Sequence, residues 1–212
     1  MKEFKFNRVW QVLYPVLVYF ILYQVARMVF RKLLPEGFSD LFCLMLSAII
    51  TIIPLYLIYV KLPIDKASPM FQKEDYKAST LILGTVLTGI LINVFAAKFP
   101  IINTSEGFAE ANKVLFSDGK LVMILANVII IPFLEELLYR AIVLGQLSMW
   151  INEILAVIIS ALFFGLFHFN IVQFVYAFIM GILLGLIYVK YKKLWMPYLA
   201  HALVNLFVVL QS

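Results

Sequence analysis

Residues 121–150 read LVMILANVIIIPFLEELLYRAIVLGQLSMW. A run of about 20 apolar residues is long enough to cross the hydrocarbon core of a bilayer as a helix. This run exceeds that length, and its charged residues are two adjacent glutamates, Glu135 and Glu136, and Arg140. Because a charge inside a bilayer costs at least about 2.5–3.5 kcal/mol, ionisable residues in such a helix mark a functional site by default. The stretch therefore predicts both a membrane protein and the place of its site.

The composition of the chain agrees with this interpretation. Of its 212 residues 64% are hydrophobic and 14% are charged, and the mean hydropathy is +1.01. Soluble domains are about half apolar and a quarter charged, so this chain cannot cover a water-facing surface. The net charge of +5 does not indicate nucleic-acid binding, because Lys and Arg form short patches between apolar runs. The lone cysteine, Cys43, lies in an apolar run and is interpreted as a buried structural thiol.

The apolar runs predict the fold class. Only helices and closed barrels satisfy their backbone groups inside a bilayer, and these runs have helical length. The run 154–189 contains no Asp, Glu, Lys or Arg and is too long for one span, so we divide it near Asn170. The prediction is an all-α, polytopic integral membrane bundle of about seven transmembrane helices, or eight if the fourth is split at Pro132. The apolar runs are 9–30, 41–60, 80–97, 121–150, 154–189 and 194–210.

The chain is predicted to be a single membrane domain with two parts. Residues 1–119 hold the N-terminal transmembrane helices and loops, and residues 120–212 form the helical core that carries the buried polar groups. With the N-terminus in the cytoplasm, the cytoplasmic segments hold ten Lys and Arg and the outer segments hold five. The positive-inside rule therefore predicts a cytoplasmic N-terminus and an external C-terminus. Gly181 and Gly185 form a GxxxG pair, which we interpret as a helix-packing contact.

The polar residues of the predicted spans follow helical spacing. Glu136 and Arg140 stand four residues apart on one face, so an ion pair can offset part of their burial cost. Glu135 is rotated by about 100° from Glu136 and needs a partner on another helix. Both histidines of the chain, His168 and His201, fall inside apolar runs. These side chains are therefore expected to meet inside the bundle.

Two further residues share the four-residue spacing. His201 and Asn205 point the same way along one helix, and Phe164 stands one turn before His168, where we interpret its ring as plain packing. A carboxylate, two imidazoles and a carboxamide can activate a water and stabilise an oxyanion. Two other interpretations stay open, namely polar bracing of the helices and a proton relay in a transporter. Against transport, the sequence shows no two halves related by symmetry.

Three short motifs in this order resemble a known family. On successive helices they resemble the CPBP family of CAAX-processing and bacteriocin-processing (Abi) intramembrane proteases. The resemblance covers roughly residues 120–212, and the first three helices match only as generic spans. The motifs are EExxxR in Glu135-Glu136-Leu-Leu-Tyr-Arg140, FxxxH in Phe164-Gly-Leu-Phe-His168 and HxxxN in His201-Ala-Leu-Val-Asn205.

The resemblance implies a catalytic role for each motif. Glu135 and His168 would hold and deprotonate the attacking water. His201 and Asn205 would donate hydrogen bonds to the tetrahedral oxyanion. The ion pair on the EExxxR helix, Glu136–Arg140, would orient this machinery.

The resemblance leaves the need for a cofactor open. One version needs none, and the other places one divalent metal, most readily zinc, on Glu135, His168 and His201, with Glu136 as the base. Two imidazoles and a carboxylate with an open position for water make up a catalytic zinc site. We favour the metal-free version, because Glu135 and His168 suffice to make a base.

The expected partners are the lipid bilayer and a peptide or membrane-protein substrate, with no nucleic acid. The substrate would be of the CAAX type or of the bacteriocin or pheromone type. The short loops favour a bacterial plasma membrane. The alternative from another functional class is a non-enzymatic membrane scaffold or a bacteriocin self-immunity protein.

Overall fold

The computed structural model describes residues 4–35, 37–64, 75–96, 98–99 and 104–212, with side chains from residue 7 onward. These residues form eight α-helices and no strand, which confirms the predicted all-α membrane bundle. Parts of the two charged linkers, 65–74 and 100–103, lie outside the described residues. The helices are α1 (Phe4–Leu33), α2 (Asp40–Lys61), α3 (Ser79–Ala96), α4 (Glu106–Leu115), α5 (Lys120–Leu147), α6 (Glu153–Leu166), α7 (Ile171–Tyr191) and α8 (Trp195–Gln211).

Seven of the described helices are apolar, and α4 is not. Five of the seven, α1, α2, α3, α5 and α7, are long and apolar enough to cross a membrane. The other two, α6 and α8, are shorter, with 14 and 17 residues. At 1.5 Å per residue α6 is about 21 Å long, and a bilayer core is about 30 Å thick. A helix that starts at one face and has this length ends inside the membrane.

Helix α5 runs without a break through Pro132, so of the two helix counts left open by the sequence, the one without a split there holds. Two segments of α5 have π-helical hydrogen bonding, Ile124–Ile130 and Leu137–Leu144, and Pro132 lies between them. In a π-helix each N–H bonds five residues back, and such segments occur frequently at functional sites. The eighth helix of the structure is α4, which lies outside the predicted spans.

The first end of the bundle, called the basic end here, joins α3 to the turns around α7. The ammonium of Lys193 lies 2.5 Å from the Asp75 carboxylate, and that of Lys192 lies 3.2 Å from Glu153. Lys193 is 3% exposed, so its ion pair is part of the packed structure. At this end α5 ends, and α6 and α8 begin.

The opposite end, called the α4 end, is closed by α4 and by polar contacts. The side chain of Lys120 donates to the Val209 carbonyl at 2.8 Å, which joins the start of α5 to the end of α8. A Cβ placed on Gly107 of α4 would lie 3.2 Å from Asn170, between α6 and α7. Helix α4 therefore contacts the turn that follows His168.

The predicted glycine contact holds α7 against α6. A Cβ on Gly181 would lie 2.9 Å from the Cα of Ala161, and one on Gly185 would lie 3.0 Å from Val157. Contacts this short leave no room for a side chain, so the packing interpretation of the GxxxG pair is confirmed. Cys43 is also buried and unpaired, as predicted.

Candidate active site

A buried ion cluster connects α5 to α8. The Nε atom of Arg140 lies 3.1 Å from one carboxylate oxygen of Glu136, and Nδ1 of His201 lies 2.9 Å from the other. The side chains of Glu136 and Arg140 are completely buried. The predicted four-residue pair is therefore present, and the same carboxylate also binds His201.

The contact between Glu136 and Arg140 is an ion pair whose geometry does not meet the criteria for a hydrogen bond. The terminal nitrogens of Arg140 are buried and have no hydrogen-bond partner among the described residues. Removing one member of a fully buried pair leaves an uncompensated charge, which costs more than the pair itself contributes.

Glu135 approaches His201 from the other side. One of its carboxylate oxygens lies 3.8 Å from Nε2 of His201, which is too long for a direct hydrogen bond. The Glu135 side chain is 16% exposed, whereas that of Glu136 has no exposure. The partner that Glu135 needed on another helix is thus His201, and of the two glutamates only Glu135 is accessible.

His168 lies in the turn that follows α6, two residues after its last residue, Leu166. Phe169 has a left-handed backbone with φ of 57°, and Asn170 donates to the His168 carbonyl at 3.1 Å. Nδ1 of His168 lies 2.9 Å from the Phe164 carbonyl oxygen. A carbonyl oxygen only accepts, so Nδ1 carries the proton and Nε2 has a free lone pair in the neutral ring. The turn thus presents His168 with Nε2 able to accept a proton.

Phe164 contacts three of the predicted site residues. Its ring centroid lies 5.1 Å from that of His168 and 5.8 Å from that of His201, with the rings at 90° and 80°. The guanidinium carbon of Arg140 lies 4.6 Å from the Phe164 centroid, within the range of a cation–π contact. The interpretation of Phe164 as plain packing is therefore too narrow, because its ring spaces the two imidazoles and covers the buried cation.

Asn205 lies one turn beyond His201 on α8, as the spacing predicts. Its amide nitrogen donates to the backbone carbonyl of Asn127 on α5 at 2.8 Å. The amide nitrogen of Asn127 in turn donates to the Leu115 carbonyl at the end of α4, also at 2.8 Å. Asn127 was missed in the sequence, although a carboxamide within an apolar span before Glu135 was a signal for it.

The structure brings the predicted residues together unequally. His201 contacts both glutamates, and Phe164 links it to His168 and Arg140. Asn205 is held against α5 through Asn127. Counted from the basic end at 1.5 Å per residue, Glu135 lies about 18 Å along α5, and His168 lies just past the end of α6, which is about 21 Å long. Glu135 and His168 therefore lie at similar depths in the bundle, although α5 and α6 run in opposite directions.

The side chains of Glu135, His168 and His201 are also the candidate ligands of a metal ion. In chemistry they fit, since Glu136 and the Phe164 carbonyl engage Nδ1 of His201 and of His168, as supporting groups do for metal-binding imidazoles. In placement they do not fit. Within the described ranges, no three His, Cys, Asp or Glu side chains are close enough to hold one metal ion.

Comparisons with known proteins place this segment. The family described as "Type II CAAX prenyl endopeptidase Rce1-like" matches residues 117–207. The curated protein "Putative membrane peptidase YdiL" of Bacillus subtilis (strain 168) is 34% identical over 90 residues. That alignment covers 42% of this chain and 37% of the relative, so the chain spans well under half of its relative's length. No solved structure matches the chain.

The matched segment begins just before α5 and contains all three motifs. The five long apolar helices, together with a membrane relative, make the chain an integral membrane protein. The resemblance predicted from the motifs is confirmed over this segment: residues 117–207 are similar to the Rce1-like (CPBP) family.

Proposed function

We propose that this integral membrane protein is an intramembrane peptidase that hydrolyses a peptide bond of a membrane-associated substrate. The observation that carries the proposal is the position of His201 between two carboxylates within the apolar bundle. Ionisable groups in this environment are costly and serve function by default. The match to an endopeptidase family and to a membrane peptidase supports the same activity.

In this proposal, Glu135 and His168 activate the attacking water. The Glu135 carboxylate accepts a proton from a water, and the oxygen of that water attacks the carbonyl carbon of the substrate peptide. His168 helps to hold the water through Nε2, whose lone pair is free because Nδ1 is bound to the Phe164 carbonyl. The proton then passes to the leaving amine as the tetrahedral intermediate collapses, which yields a new carboxylate and a new amine.

Two residues of α8, His201 and Asn205, stabilise the oxyanion. His201 acts in its doubly protonated form: it donates Nδ1–H to Glu136 and offers Nε2–H to the oxyanion. Asn205 uses one amide hydrogen on Asn127 and offers the other. Glu136 and Arg140 touch no substrate and orient His201, which they do best if they stay buried.

The metal-free version is proposed because Glu135 and His168 suffice to make a base, so that no metal is needed to activate the water. The substrate class is proposed as a peptide or protein segment at the membrane, either of the CAAX type or of the bacteriocin or pheromone type. The family description names prenylated CAAX proteins, and the relative comes from a bacterium.

The experiment uses the purified chain in liposomes with two peptide libraries, one of farnesylated CAAX peptides and one of unmodified leader-type peptides. Cleavage is read by mass spectrometry, with Glu135→Ala as the matched control. We expect products from one library with the wild type and none with the control. Cleavage is expected to survive a chelator and to gain nothing from zinc.

Several outcomes would contradict this proposal. Equal products from wild type and Glu135→Ala would remove the catalytic role of Glu135. Inhibition by a chelator with recovery on adding zinc would overturn the metal-free version. Absence of products from both libraries, with a cellular phenotype retained in Glu135→Ala, would favour the scaffold or immunity function.

The orientation proposed is N-terminus in the cytoplasm and C-terminus outside, within a bacterial plasma membrane. It rests on the excess of Lys and Arg in the segments assigned to the cytoplasm. A periplasmic-type reporter fused after Ser212 is expected to be active and a cytoplasmic-type reporter inactive. The reverse result would mean that the C-terminus lies in the cytoplasm and that the proposed orientation is wrong.

A further inference from the structure

Pro132 leaves one carbonyl of α5 without a backbone donor. In the π-helical segment before it, the N–H of Ile131 donates to the Ala126 carbonyl, five residues back. The next N–H in this register would come from residue 132 and reach the Asn127 carbonyl. Proline has no N–H, so this bond cannot form. Inside a bilayer, a carbonyl freed in this way needs another partner.

The partner comes from α8. The amide nitrogen of Asn205 lies 2.8 Å from the Asn127 carbonyl oxygen. Because this oxygen only accepts, the contact fixes which end of the Asn205 carboxamide faces α5. The Asn205 oxygen and the second N–H must then point elsewhere, and His201 lies one turn away on the same helix.

The position of the carbonyl is itself fixed from a third helix. The Asn127 side chain donates at 2.8 Å to the Leu115 carbonyl, which lies at the last residue of α4. Asn127 is 8% exposed, so both of its hydrogen bonds lie within the packed structure. The backbone and the side chain of one residue thus join α4, α5 and α8.

We infer that Pro132 and Asn127 are positioning residues for Asn205. The proline withholds the N–H that would otherwise occupy the Asn127 carbonyl, and the free carbonyl holds the Asn205 carboxamide in one orientation. The consequence for catalysis rests on the proposed function, in which Asn205 stabilises the oxyanion. The pairing itself does not depend on that function.

The pairing is tested by a double-mutant cycle in thermal stability, with Pro132→Ala, Asn205→Ala and the double variant in detergent micelles. Alone, Asn205→Ala leaves the Asn127 carbonyl without its hydrogen-bond donor and is expected to lower Tm by about 2–8 °C. In the Pro132→Ala background the new N–H occupies this carbonyl, so the same change should lower Tm by less than half as much. Pro132→Ser also restores the N–H and serves as a second variant.

The matched control is Pro54→Ala, because Pro54 also lies inside an apolar helix, α2. Its effect should add to that of Asn205→Ala without coupling. Equal Tm losses for Asn205→Ala in the wild-type and Pro132→Ala backgrounds, or the same coupling with Pro54→Ala, would overturn the inference.

The catalytic consequence is read separately, with the peptide that the wild type cleaves. Pro132→Ala is expected to lower kcat about tenfold with little change in KM, because a misoriented oxyanion donor acts on the transition state. In the Asn205→Ala background, Pro132→Ala should have no further effect on kcat. Additive losses in kcat would overturn the positioning role. If the wild type cleaves nothing, the proposed function fails while the Tm cycle still decides the pairing.

Discussion

The two sides of His201 are built from neighbouring residues and differ in almost every respect. On one side Glu136 is completely buried and binds both Arg140 and Nδ1 of His201. On the other side Glu135 keeps 16% of its side chain exposed and stops 3.8 Å from Nε2. A rotation of about 100° per residue sends two adjacent glutamates into different environments. The comparison shows how one helix can supply a buried carboxylate and an accessible one from a single dipeptide.

The difference also shows what each side can do. A completely buried carboxylate that already contacts a guanidinium and an imidazole has no accessible oxygen for a water, and its loss leaves a buried cation unpaired. A carboxylate with residual access and no direct hydrogen bond can accept a proton. We therefore expect substitutions on the Glu135 side to affect rate and those on the Glu136 side to affect stability.

The largest effect is expected from Glu135→Gln. Glutamine keeps the size and the hydrogen bonding of the side chain but cannot accept a proton, so kcat should fall by about 10³–10⁴, the upper range for a general base. Tm should stay near that of the wild type, because Glu135 is partly exposed. Peptide cleavage and thermal unfolding are measured side by side. Full activity of Glu135→Gln would mean that Glu135 is not the base and that both glutamates beside His201 have structural roles.

Arg140→Met is expected to give the largest loss of stability. Methionine fills much of the space but leaves Glu136 as an unpaired buried charge, which should lower the free energy of unfolding by about 3–5 kcal/mol. The double variant Glu136→Gln and Arg140→Met removes both charges and should recover part of that loss. Unfolding in detergent gives the measurement. If the single variant is as stable as the wild type, the ion cluster is not a structural element.

Asn205→Ala is expected to leave a weak residual rate. It removes one of two proposed oxyanion donors, which costs on the order of 10²–10³ in kcat. His201 would still hold the oxyanion, so the variant should remain measurably more active than Glu135→Gln. Single-turnover cleavage of the same peptide compares the two. An Asn205 variant as inactive as the Glu135 variant would mean that this side chain does more than stabilise the oxyanion.

The smallest effect is expected from Phe164→Leu. The change removes the ring between the imidazoles and the cation–π contact with Arg140, worth about 0.5–2 kcal/mol. Loss of about 1.4 kcal/mol of transition-state stabilisation corresponds to a tenfold fall in rate, with KM little changed. Phe178→Leu is the control, because that ring stacks on Phe174 and not on the site. Equal losses in both variants would return Phe164 to plain packing.

The sequence by itself determined the membrane class, the helical fold and the set of candidate residues. Hydropathy predicts these because the bilayer penalises every unpaired polar group, so apolar runs must be helices and charges within them stand out. The four-residue spacing also gave the Glu136–Arg140 pair, since neighbours on a helix face are fixed by its geometry. The motifs in the apolar helices were sufficient to predict the family to which residues 117–207 are similar.

Tertiary structure alone decided which of these residues meet. The partner of Glu135, the ring contacts of Phe164 and the bond from Asn205 to the Asn127 carbonyl all join different helices. Spacing along one helix says nothing about such contacts, because they depend on how the helices rotate and slide against each other. The π-helical segments add the same difficulty, since they shift the register of α5 on both sides of Pro132. The candidate residues were therefore predictable as a list, while the contacts between them came only from the packed bundle.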